Sequence, residues 1–103
     1  MATKILALGH TVLTRGVYEL LQRSKLSEDY LCSCIMRHAT GDFGIQDPED
    51  QKTNAHAFKH NGRVLSAYPL DPALPCKGWG DNTLWIITEW DRSVTTALLP
   101  NEY

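Results

Sequence analysis

The spacing of apolar residues changes from a helical period to a period of two at Arg63. Before it, Val17, Leu20 and Leu21, and then Leu31, Cys34, Ile35 and His38, recur every three or four positions. After it, VLSAYPL, LWIITEW and SVTTALLP alternate with a period of two. The first spacing suits helices with one buried stripe, and the second suits strands with one buried face. Helices followed by strands predict an α+β domain, with two to three N-terminal helices packed on one face of a small antiparallel meander sheet. The expected order is β-α-α-α-β-β-β in a single domain, residues 1–103.

Local signals set the boundaries. KILALGHTVL, residues 4–13, reads as a short strand or extended lead-in. Thr14 is placed to cap a helix reaching about Arg23, and Ser27 to cap a second, with Glu28 and Asp29 in its positively polarised first turn and Gly41 after its end. Asp47-Pro48-Glu49-Asp50 starts a third helix, with a capping aspartate, proline at the first helical position and acids next. That helix closes near His60, before Asn61-Gly62. The long turn DPALPCKGWGDN then separates VLSAYPL from a C-terminal hairpin that folds at Asp91-Arg92.

Composition narrows the class. Ten basic and twelve acidic side chains give a net charge of −2, unlike a strongly basic nucleic-acid binder or a heavily acidic DNA mimic. No apolar run has the length of a membrane span, and the broken apolar stretch near the N-terminus lacks the core of a signal peptide. Three cysteines are an odd number and suit a reducing compartment, so a cytoplasmic location is expected.

The strands carry most of the candidate chemistry. Val64, Ser66 and Tyr68 share one face of their strand, and Leu84, Ile86, Thr88 and Trp90 alternate with Trp85, Ile87 and Glu89. With one face given to the helices, the other is expected to show Ser66, Tyr68 and some of Thr88, Glu89, Thr95 and Thr96 to solvent. Metal-free RNA cleavage needs a base for the 2′-hydroxyl, a cation for the phosphorane and an acid for the leaving oxygen. His38, Arg63, Tyr68, Glu89, Arg92 and Thr95 have the chemistry for those roles. Cross-strand hydroxyls and opposite charges are also ordinary on a solvated sheet face, and strand propensity alone accounts for the threonines.

Other segments are open to two readings. In RHATGDFG, Arg37, His38 and Asp42 could reach a phosphate, or could simply end a helix and shape a glycine turn. Trp79, between two glycines and near Lys77, could contact a partner or fold back over the core. Cys34 with His38, and His56 with His60, sit four apart on helix faces, but no spacing matches a zinc pattern. No metal and no cofactor are expected.

The ordered segments RHATGDFG, PEDQKTNAHAFKHNGRVLSAY and LWIITEWDRSVTTALLPNEY resemble a family of small plasmid- and phage-associated bacterial proteins. The resemblance runs from Thr14 to Tyr103, and the chain departs from the pattern in its insertion from Pro69 to Asp81. It implies an accessory protein of a mobile genetic element, of the kind that modulates host defence as anti-restriction or anti-CRISPR proteins do. A fold-level similarity to the barnase–EndoU–colicin–RelE class of ribonucleases rests on helices that precede a sheet bearing basic and hydroxyl residues. The leading expectation is a non-catalytic binder of a host protein or ribonucleoprotein complex, with Arg63, Trp79, Trp90 and Arg92 as contacts. The alternative is a metal-independent ribonuclease acting on RNA through the six residues named above. No membrane partner is expected.

Overall fold

The computed structural model describes residues 5–103. The chain is an α+β domain built as β1 (His10–Leu13), α1 (Arg15–Gln22), α2 (Glu28–Ala39), α3 (Pro48–Lys59), β2 (Val64–Pro69), β3 (Thr83–Thr88) and β4 (Val94–Leu98), ending in a 3-10 turn at Pro100–Glu102. The expected lead-in strand is shorter than residues 4–13, and Lys4 lies outside the described residues.

Two helix starts follow the sequence signals closely. The Ser27 hydroxyl accepts from the Tyr30 N–H, and the Asp47 carboxylate accepts from the Asp50 N–H with Pro48 beside it. The start of α1 is different. Thr14 occupies the cap position but makes no side-chain cap bond. The cap comes from the other end of the chain: the Glu102 carboxylate accepts from the Gly16 N–H at 2.9 Å, the Leu99 N–H at 2.9 Å and the Thr14 hydroxyl. Burial raises the pKa of this carboxyl, but the three hydrogen bonds outweigh it and the net displacement is downward.

The sheet corrects the expected meander. Its strand order is β1-β4-β3-β2; β2, β3 and β4 pair antiparallel, but β1 lies parallel to β4, so the sheet is mixed. The alternation within each strand is as expected, whereas the choice of face is reversed. Ser66, Tyr68, Thr88 and Thr95 are each no more than 1 % exposed and lie on the helix-covered face with Val64, Leu84, Ile86 and Ala97. The main core joins that face to Val17, Leu26, Leu31 and Cys34, and a second cluster gathers Leu6, Ala57, Phe58 and Val64. Such polar residues can be buried because every buried side-chain nitrogen and oxygen among the described residues has a partner.

The outer edge of β2 is closed. Phe43 and Ile45 bond the Ala67 backbone through their carbonyl and N–H, and Gly44 bridges Ala67. One residue pair along, the Asn54 side chain replaces a strand: its Nδ2 donates to the Leu65 carbonyl at 2.7 Å and its Oδ1 accepts from the Leu65 N–H at 3.0 Å. Gly44 permits this approach. Its φ is +75°, and a Cβ there would stand 1.9 Å from the Ala67 carbonyl oxygen. Gly44→Ala should therefore cost more than about 3 kcal/mol, because a left-handed conformation at about 1–2 kcal/mol is joined by a displaced edge. Gly80→Ala shares the positive φ but meets nothing within 4 Å, so it should cost only the conformational part. Urea unfolding of the two variants, with equal losses as the contrary result, checks this account of the edge.

Candidate functional site

The six residues considered for RNA cleavage do not assemble into an open site. His38 projects from α2 into the sheet and is fully buried. Its Nδ1 lies 2.6 Å from the Ser66 hydroxyl and its Nε2 lies 2.8 Å from Thr88 Oγ1. Thr88 is 2.7 Å from Thr95, its cross-strand partner, and Thr95 donates to the Leu8 carbonyl at 2.7 Å. That last bond fixes the direction of the whole series. The Thr95 proton is committed to the carbonyl, so Thr95 accepts from Thr88, and Thr88 accepts from Nε2–H. Nδ1 is left to accept the Ser66 proton, which makes the ring the neutral Nε2–H tautomer.

Both ring nitrogens are thus spent on structure. Burial, with Arg92 adding repulsion, lowers the ring's pKa from the usual 6.5 to about 4. Tyr68 is equally enclosed: its hydroxyl donates to the Asp42 carbonyl at 2.6 Å, and burial pushes its pKa up. Neither group reaches a substrate in this arrangement.

Arg92 was a candidate for both expected functions, and the fold uses it elsewhere. Its Nη2 donates to the Ala57 carbonyl at 2.9 Å, and its Nη1 donates to the carbonyls of Gly62 and Glu89. The guanidinium ties the β3–β4 turn to the C-terminal end of α3, where a cation meets the negative pole of the helix. Arg37 is likewise internal to its segment. It forms a two-bond pair with Asp42, lies 4.8 Å from the Tyr68 ring centroid, and through that hydrogen bond holds the Asp42 carboxyl below its ordinary pKa.

The open surface lies on the other face of the sheet. A groove of about 610 Å³ has Leu65, Ala67 and Trp85 as its floor. The loop into α3 and the first turns of that helix form one wall with Ile45, Gln46, Asp47, Asp50, Thr53 and Asn54, and Lys77, Gly78 and Trp79 form the other. Arg63 stands at one end, 3.6 Å from the Glu89 carboxylate and against the Tyr103 ring. Tyr103 in turn packs edge-on to Trp85 at 5.7 Å, so the C-terminal tail is docked across this face. Trp79 is 62 % exposed, with the Lys77 ammonium 5.1 Å from its ring centroid.

The turn that carries Trp79 is tightly held. Asn82 donates to the carbonyls of Asp71, Leu74 and Pro75 and accepts from the Asp71 N–H, while Trp85 Nε1 donates to the Gly78 carbonyl at 2.8 Å. Of the four expected contact residues, Arg63 and Trp79 meet in the groove. Trp90 is exposed on the β3–β4 turn outside it, and Arg92 is internal. The sequence reading missed Trp85, Asp47 and Asp50 as lining. The odd position of Trp85, opposite the buried Leu84 and Ile86, was the available signal.

Among the described residues no three histidine, cysteine or acidic side chains gather around a possible metal position, and the three cysteines are free. His56 and His60 do stack, at 4.4 Å between centroids. No helix of the described residues is long and apolar enough to cross a membrane. No family model, curated protein or solved structure matches the chain.

The buried ring links stability to pH. The unfolded chain binds this proton near pH 6.5 and the folded chain only near pH 4, so between those values the unfolded state holds more protons. The contribution of His38 should be complete above pH 6.5 and fall by on the order of 3 kcal/mol as pH drops to 4. Urea midpoints measured along that interval should decline in the wild type. His38→Gln should start less stable and lack that part of the slope, and a flat wild-type profile would contradict the buried neutral ring.

Proposed function

We propose that the protein is a non-catalytic recognition module that captures a host protein in the groove on the open face of its sheet. The observation that supports this is a partition of side chains. His38, Tyr68 and Thr95, which could have moved protons in RNA cleavage, are sealed in the core and hydrogen-bonded there, while an exposed tryptophan stands over an open groove. Aromatic side chains that are fixed before binding are the usual energetic anchors of protein interfaces.

The signs of charge along the groove favour protein over nucleic acid. Asp47 and Asp50 line one wall, and Lys77 and Arg63 lie on the other wall and at the end. A phosphate backbone would be repelled by the first wall, whereas a polypeptide with both signs of charge complements the two. The resemblance to plasmid- and phage-associated proteins gives that partner a context: a component of a host defence complex, inhibited by the bound protein as anti-restriction or anti-CRISPR factors inhibit theirs.

The test has two arms. A partner retained from bacterial lysate by the immobilised protein, then purified, should bind Trp79→Ala more than tenfold weaker than wild type, since loss of a central tryptophan costs about 2 kcal/mol or more. Lys77→Glu should weaken it too, and both variants should melt with the wild type. Undiminished binding by Trp79→Ala would overturn the groove as the contact surface. Cleavage of total bacterial RNA in EDTA by wild type would overturn the non-catalytic reading and revive the ribonuclease alternative.

A further inference from the structure

The two edges of the sheet are treated differently. The edge at β2 is covered by Phe43–Ile45, by Asn54 and by Gln46. The edge at β1 has no such cover among the described residues. His10 and Thr14 donate to the Ser93 and Ala97 carbonyls, which sets the parallel register and turns His10, Val12 and Thr14 toward β4. The backbone groups of Thr11 and Leu13 therefore face outward. All four residues of β1 are exposed, Val12 and Leu13 among them at 43 % and 38 %. The strand is short, at four residues, but it carries no lysine, no proline and no bulge to guard the open edge.

We propose that this edge pairs with itself, joining two copies of the chain β1 to β1 in antiparallel fashion about a two-fold axis at Val12. The register is what singles out a second copy as the occupant. With Val12 opposite Val12, Thr11 of each copy meets Leu13 of the other, and these are the residues whose N–H and C=O point outward. Every outward group of the strand is then paired, with no remainder on either copy. The sequence HTVL adds no formal charge to the seam, so the two edges do not repel. The Val12 pair is the close, non-hydrogen-bonded kind, about 4.5 Å between Cα atoms, and brings two apolar side chains together.

The axis of such a pairing runs perpendicular to the sheet, so both open faces point the same way. Val12 lies in register with Thr96, Ile87 and Leu65, and Leu65 is part of the groove floor. Two grooves would thus share one side of a continuous sheet. On the reading of the groove as a protein-binding site, the assembly is bivalent, but the pairing itself does not depend on that reading.

Sedimentation of the full chain over a range of concentrations tests the pairing. The wild type should approach twice the chain mass of 11.6 kDa. Val12→Lys and Val12→Glu should each sediment as monomers with unchanged circular dichroism, and an equimolar mixture of the two should recover the doubled mass. Thr11→Pro, which removes an outward N–H and no bond to β4, should also shift the protein toward monomer. A wild-type monomer at every concentration would overturn the proposal, as would a dimer whose mass neither Val12 variant alters.

Discussion

The fold is organised around one imidazole. His38 is the point at which α2 is fastened to β2 through Ser66 and to β3 through Thr88, and Thr88 passes the connection to Thr95 on β4 and to the Leu8 carbonyl. Helix-on-sheet packing by apolar contact alone is tolerant of small slides, because methyl groups have no preferred direction. A directed series of hydrogen bonds in a dry core is not, since a shift of one residue would strand several buried polar atoms at once. Leu31, Cys34, Leu84 and Ile86 supply the burial, and the imidazole series selects one register for it.

That role explains which parts of the fold were legible in the sequence. Periodicity identified the helices and strands, and Ser27 and Asp47-Pro48 marked helix starts by local bonding that needs no tertiary partner. Alternation also said which residues share a face, and the strands obey it. It did not say which face is inward, because Ser66, Tyr68, Thr88 and Thr95 count as polar in any pattern and become core residues only when a partner on another element satisfies them. Ser66 and Thr88 find that partner in His38, 28 and 50 positions away in sequence, and Thr95 finds one in the Leu8 carbonyl, 87 positions away.

The other departures have the same origin in long-range satisfaction. The parallel pairing of β1 with β4 joins segments 84 positions apart, and nothing in HTVL encodes its neighbour. Arg92 reads as an exposed turn residue, yet it closes the end of α3 across 35 positions; Glu102 caps α1 across 86. In both cases a charged side chain meets the pole of a helix that lost no local signal by lacking it. The candidate site was legible in outline only. Trp79 and Arg63 stood out by type, whereas the acids facing them belong to a helix start whose capping role already accounts for Asp47.

The turn bearing Trp79 looks, by composition, like a flexible loop, and its bonding argues the opposite. Asn82 gathers three carbonyls and one N–H from the Asp71–Pro75 segment, and the indole of Trp85 holds Gly78 to the groove floor. Fixing an anchor side chain during association costs entropy that directly weakens binding, and a turn already held in place avoids much of that cost. The exposure of Trp79 is then a property of a built surface, not of a segment that has failed to pack. The sheet itself separates the groove from the imidazole series, so that His38 with its hydroxyl partners and the floor of the groove occupy opposite faces of one layer. Changes at Trp79 or Lys77 can therefore alter what is bound while leaving the register set by His38 intact.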